Sequence, residues 1–188
     1  MDAFLISTAV IFVAELGDKS QLMALTFATR FKIIPVLVGI TVATAIVHAI
    51  SVIVGAALGA AIPTRPITIA AAIAFAGFGL WTLRGDELTT DDKARAAAMP
   101  ARHAVMAVGT VFFLAELGDK TMLATITLAT KEGLFGTWLG STVGMVAADA
   151  LAILAGRQLG TRLPERTIRI GAAVAFFAFA ALLLIEAL

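Results

Sequence analysis

The sequence predicts an all-α membrane protein: six transmembrane helices arranged as two inverted three-helix repeats. Three observations carry that expectation. First, 60% of the 188 residues are hydrophobic and only 14% charged, with a mean hydropathy of +0.99, whereas soluble domains carry roughly 25% charged residues. Lipid must therefore be the solvent for most of the chain. Second, the chain divides into six apolar stretches near the length of about 20 residues that a spanning helix needs. Third, Ala14-Glu15-Leu16-Gly17-Asp18-Lys19-Ser20 returns as Ala115-Glu116-Leu117-Gly118-Asp119-Lys120-Thr121, with every position displaced by 101 residues (14 to 115).

In chain order the expected spans are 3–28, 34–58, 66–84, 104–129, 134–157 and 167–187. Breakers and charges separate them: Arg30-Phe31-Lys32 after the first, Pro63-Thr64-Arg65-Pro66 after the second, Lys131-Glu132-Gly133 after the fourth, and Arg162-Leu163-Pro164-Glu165-Arg166 after the fifth. The stretch from Arg84 to His103 is the one long hydrophilic segment, expected as a linker that turns helical around Ala94–Ala98. The organisation is thus 1–85, first repeat; 86–103, cytoplasmic linker; 104–188, second repeat.

The duplication runs past the motif without a gap. Gly39 matches Gly140, Gly55 matches Gly156, Pro63 matches Pro164 and Phe75 matches Phe176. Three spans is an odd number, so the second half enters the membrane from the opposite side, giving repeats related by a two-fold axis in the membrane plane. Loop charges orient this arrangement. Arg30, Lys32, Arg84, Lys93, Arg95, Arg102, Arg157, Arg162, Arg166 and Arg169 fall on one side, and only Arg65 and Lys131 on the other. By the positive-inside rule the linker is cytoplasmic and both termini lie across the membrane. Met1-Asp2-Ala3-Phe4 lacks the basic start of a secretory signal, so the first span is expected to be retained, in a bacterial inner membrane.

Other classes recede on composition. No basic arm interleaved with aromatics suggests a nucleic acid partner. The absence of cysteine removes disulfides and thiolate chemistry. Phe75, Phe78, Phe176, Phe177 and Phe179 read as core or lipid-facing residues, and Trp81 as an anchor at the membrane interface.

Charge inside a membrane is costly unless paired or used. On a helix, Glu15 and Asp18 are three apart and Glu15 and Lys19 four apart, so all three share a face of the first span, as Glu116, Asp119 and Lys120 do in the fourth. Each glutamate sits about 18 Å into its span, near the midplane, from a rise of about 1.5 Å per residue. Inverted symmetry brings the motifs together, and Gly17 and Gly118 permit either close packing or a local break. Glu15, Asp18, Glu116 and Asp119, with Ser20, Thr121 and Gln21 beside them, make an oxygen-only set suited to Ca²⁺, Mg²⁺ or Mn²⁺. Met122 replaces Gln21 in the second repeat, which tilts the set toward a softer ion such as Mn²⁺, although core packing explains it as well.

Four carboxylates against Lys19 and Lys120 leave a formal −2, which one divalent cation or two protons would balance. Exchange of cation for protons follows as an expectation, with the carboxylates as ligand and proton carrier in turn. The lysines either compete with the cation for the acids or form inert pairs with Glu15 and Glu116 within each helix. Such inert pairs would be costly where apolar residues pack as well. Asp149 and its repeat mate His48 lie mid-span and are candidates for a proton relay or outer ligands.

These residues carry a family resemblance. Two copies of Glu-x-Gly-Asp-Lys-(Ser/Thr), each opening a three-helix half on either side of a hydrophilic loop, resemble the small cation/proton antiporter family related to yeast Gcr1-dependent translation factor. That family includes bacterial manganese exporters, a Golgi Mn²⁺/Ca²⁺ transporter and thylakoid relatives. The resemblance covers nearly the whole chain. It implies export of Mn²⁺ or Ca²⁺ from the cytosol against protons, with Glu15, Asp18, Glu116 and Asp119 at the ion site and no prosthetic group. Met122 departs from the glutamine that members often carry there. A passive cation channel and a non-transporting membrane assembly factor remain alternatives, and homo-oligomerisation is left open. A membrane aspartyl protease fits poorly, because glutamate replaces the first glycine of its Gly-x-Gly-Asp motif.

Overall fold

The computed structural model describes residues 2–84, 103–159 and 165–188, and among these every regular element is helical. In order they are α1 (Asp2–Glu15), α2 (Lys19–Arg30), α3 (Ile33–Ala61), α4 (Thr64–Arg84), α5 (Ala104–Glu116), α6 (Lys120–Ala129), α7 (Leu134–Leu159) and α8 (Glu165–Ala187). The expected linker, with its helical turn at Ala94–Ala98, lies outside the described residues apart from His103.

Among the described residues four helices are long and apolar enough to cross a membrane: Ile33–Ala61, Thr64–Arg84, Leu134–Gly156 and Arg166–Ala187. They match the expected second, third, fifth and sixth spans to within a few residues. The outer surface is apolar as well, with Ile73, Met106, Leu182 and Ile185 exposed. The protein is an integral membrane protein: in water such a surface would cost about 25 cal/mol per Å².

The first and fourth expected spans are corrected. Neither is a single helix. α1 stops at Glu15 and α2 restarts at Lys19, and α5 stops at Glu116 and α6 restarts at Lys120. The cause is the glycine in each motif: Gly17 has φ +75° and Gly118 φ +81°, the only positive φ values among the described residues. A left-handed residue ends a helix, and glycine takes it without the clash that a Cβ brings.

The halves interleave. α1 and α2 pack on α7, while α5 and α6 pack on α3. Glycines make this contact close. A Cβ on Gly39 would lie 2.8 Å from the Val105 carbonyl oxygen and 2.9 Å from Val108 Cβ, and one on Gly55 would lie 2.7 Å from Ala129 Cβ. The repeat mates repeat the contact: Gly140 lies against the Phe4 backbone and Gly156 against the Leu25 side chain. Residues 39 and 55 of α3 thus meet residues 105 and 126–129, so α3 runs in the same direction as α5–α6.

α3 crosses α7 at another pair of repeat mates, where the Thr44 hydroxyl donates to Met145 Sδ at 3.4 Å. α4 packs on α8 through Phe75, Phe78, Phe176 and Phe179, with the Phe75 ring 4.8 Å from Phe179 and 6.0 Å from Phe176. A second core of Met23, Phe27, Val36, Ile40, Val108 and Phe112 joins α2, α3 and α5.

Candidate cation site

Both helix breaks place their acids in the interior. Glu15, Asp18, Glu116, Asp119 and Asp149 are all 3% exposed or less, as are Ser20, Lys120 and Thr121. Each glutamate ends the helix before its break, and each aspartate is the N-cap of the helix after it. An N-cap aspartate ordinarily accepts from an amide of its own first turn. Neither Asp18 nor Asp119 does so.

Their carboxylates turn to the opposite repeat instead. Lys120 Nζ lies 2.9 Å from Asp18 Oδ1, and Lys19 Nζ lies 3.4 Å from Asp119 Oδ1. This corrects the expectation that Glu15, Asp18 and Lys19 share one helical face. The break removes the i,i+4 register, and each lysine pairs across the repeats rather than with the glutamate before it. The two bridges differ in setting, since the Lys120 side chain is 2% exposed and that of Lys19 24%.

The glutamates are held by their own motifs. Ser20 Oγ donates to Glu15 Oε1, and Thr121 Oγ1 donates to Glu116 Oε2 at 2.8 Å. One oxygen of each is left over: Glu15 Oε2 and Glu116 Oε1 are buried without a hydrogen-bond partner, as is Asp119 Oδ2. Such groups are costly to bury unmatched.

Gln21 and Met122 serve the breaks. The Gly17 amide donates to Gln21 Oε1 at 2.9 Å, and the Gly118 amide to Met122 Sδ at 3.2 Å. Gln21 Nε2 also donates to the Ala148 carbonyl on α7 at 3.0 Å, a bond no thioether can make. The sequence reading counted Gln21 as a neighbour of the acids but missed this clamp, because only tertiary packing brings α7 there.

Asp149 and His48 part company. Asp149 lies close enough to act on the charges of Glu15 and Glu116, and Asp18 acts on it in turn. His48 is buried, with Nδ1 unpartnered. Among the described residues no three of His, Asp and Glu stand close enough together to form a finished metal cage. The lysines lying between the two repeats' acids give a physical reason. A separate cavity of about 440 Å³ opens between α4, α6 and α8 beside Lys131 and Glu186, whose side chains pair at 2.6 Å, and it contains none of the motif acids.

The family model described as divalent cation/proton antiporter GDT1 matches this chain over residues 3–90 and again over 104–188. The chain belongs to the GDT1 family. A Vibrio cholerae protein named as a manganese exporter is 30% identical over 172 residues, covering 90% of this chain and 84% of its own length. A GDT1-like protein of Synechocystis is 29% identical, covering 96% of this chain and 95% of its own. The chloroplastic protein PAM71 of Arabidopsis thaliana is 32% identical and covers 94% of this chain, which spans 55% of PAM71. No solved structure matches.

Proposed function

We propose that this chain exports a divalent cation from the cytosol in exchange for protons by alternating access, with Mn²⁺ as first cargo and Ca²⁺ as second. The observation that carries this reading is the reciprocal pairing of Lys19 with Asp119 and Lys120 with Asp18, beside two glutamates that each keep one oxygen unpartnered. In the cation-free state the ammonium groups stand in for the cargo. An entering Mn²⁺ draws Glu15, Glu116, Asp18 and Asp119 to itself, and the lysines yield their partners. When the ion leaves, protons and lysines again balance the acids, so the low-dielectric barrier is crossed only by a nearly neutral site. The N-termini of α2 and α6 point their positive ends at the same acids, as half-helices do in other carriers.

The architecture fits six spans in two inverted repeats, residues 1–85 and 104–188, with α1–α2 and α5–α6 as broken spans. α3 follows α2 after a two-residue connection and runs in the direction of α5–α6, which supports opposite senses for the two broken spans. The loop charges support a cytoplasmic linker at 86–103 and extracytoplasmic termini, in a bacterial inner membrane. The relative named as a manganese exporter supports Mn²⁺, and the oxygen-rich ligand set is compatible with it.

The test is uptake into proteoliposomes under an imposed pH gradient, with a proton-sensitive dye inside and Mn²⁺, Ca²⁺ and Mg²⁺ in competition. Mn²⁺ movement that follows the gradient, with opposite proton movement, supports the exchange. Mn²⁺ flux indifferent to the gradient would replace it with a passive pathway.

A further inference from the structure

The two halves of the site are not equivalent. Where the first repeat has Gln21, the second has Met122, and where α7 has Asp149, α3 has His48. These substitutions meet at one place. Gln21 binds the Gly17 amide with its oxygen and the Ala148 carbonyl with its nitrogen, so it fastens the residue next to Asp149 directly to the α1–α2 break. Met122 has no donor with which to fasten Val47, the repeat mate of Ala148. Asp149 is fully buried, both its oxygens lack hydrogen-bond partners, and it acts on Glu15 and Glu116. No lysine pairs with it among the described residues.

We propose that Asp149, held in place by the Gln21 clamp, is a cation-contacting residue that makes the site lopsided, with the ion seated toward the first helix break and α7 rather than on the two-fold axis. This rests on the transport reading above and deepens it. Buried and unpartnered, the Asp149 carboxylate is costly to retain unless a ligand completes it. Gln21 acts through Asp149 by fixing where α7 stands, and is a positioning residue.

The experiment is Mn²⁺ binding to the purified full chain by calorimetry. Asp149→Asn keeps the shape of the side chain and should weaken Mn²⁺ binding at least about tenfold, the loss typical when a metal site loses a supporting group. Gln21→Met installs the residue the second repeat already uses at its own break. It should weaken binding less in the wild-type background and not at all further in the Asp149→Asn background. His48→Gln should cost less than Asp149→Asn. Asp149→Asn binding like wild type, or a loss equal to that of His48→Gln, overturns the assignment. An additive loss in the double variant overturns the positioning role of Gln21. A monodisperse elution profile and unchanged helical circular dichroism establish that each variant is folded. Wild-type protein that binds no Mn²⁺ at all would sink the transport reading itself, whereas normal wild-type binding with an unaffected Asp149→Asn sinks only this proposal.

Discussion

Lys120, the first residue of α6, places its ammonium 2.9 Å from Asp18, the N-cap of α2 in the other half of the chain, and both side chains are almost wholly shielded. A pair buried to this degree costs about 3–5 kcal/mol when one partner alone is removed, because the remaining charge has no water to return to. Lys120→Met should therefore lower the melting temperature sharply in metal-free buffer. Added Mn²⁺ should restore more stability to the variant than to wild type, since the ion then replaces the missing charge. Thermal unfolding with and without Mn²⁺ checks this, and equal ion-induced shifts in both proteins would separate the lysine from the cation.

Lys19→Met should be milder. Its bridge to Asp119 is longer, 3.4 Å, and its side chain is 24% exposed, so water takes over part of the lost interaction. The same assay should give a metal-free destabilisation clearly smaller than that of Lys120→Met. An equal or greater loss would show that exposure does not set the strength of the two bridges.

Glu15→Gln and Glu116→Gln should each strongly reduce Mn²⁺ exchange while leaving the fold in place. The amide oxygen can still accept from Ser20 or Thr121, but the charge that the ion requires is gone. Loss of one carboxylate ligand should cut proteoliposome uptake by about tenfold or more, using the effect of disturbing a metal site's surroundings as a lower guide. If either variant alone transported normally, the shared site would be reduced to one half.

The glycines at the breaks separate strain from crowding. Both lie in the left-handed region, where an added Cβ costs about 1–2 kcal/mol. At Gly118 nothing lies within 4 Å of that Cβ, while at Gly17 it would meet Arg169 Cγ at 3.1 Å. Gly17→Ala should accordingly destabilise more than Gly118→Ala, and both more than Gly77→Ala, whose Cβ meets nothing within 4 Å and whose φ is not left-handed. Thermal melts of the three variants rank these effects.

Helix contacts across the halves admit the same comparison. Gly39→Ala places a methyl 2.8 Å from a backbone oxygen of α5, which cannot move aside as a side chain can. It should destabilise by about 1–3 kcal/mol, the usual cost of overpacking, and a melt unchanged from wild type would show that α3 and α5 can part freely.

Much of this molecule was legible before it was folded. The displaced repeat of Glu-Leu-Gly-Asp-Lys, the apolar stretches that form the four long helices and the family were all readable, because burial in lipid writes itself into composition and a duplication writes itself into spacing. The sequence alone also paired the two motifs by their shared offset. It could not choose between a packed and a broken helix at Gly17 and Gly118, since glycine inside an apolar run serves either purpose. Only the tertiary structure decided that each lysine crosses to the other repeat's aspartate and that Gln21 ties the Gly17 break to the Ala148 carbonyl of α7. Those outcomes depend on how closely α7 and α3 approach the broken helices, and that distance is set by small residues such as Gly39, Gly55, Gly140 and Gly156 meeting backbone and side chains across the halves.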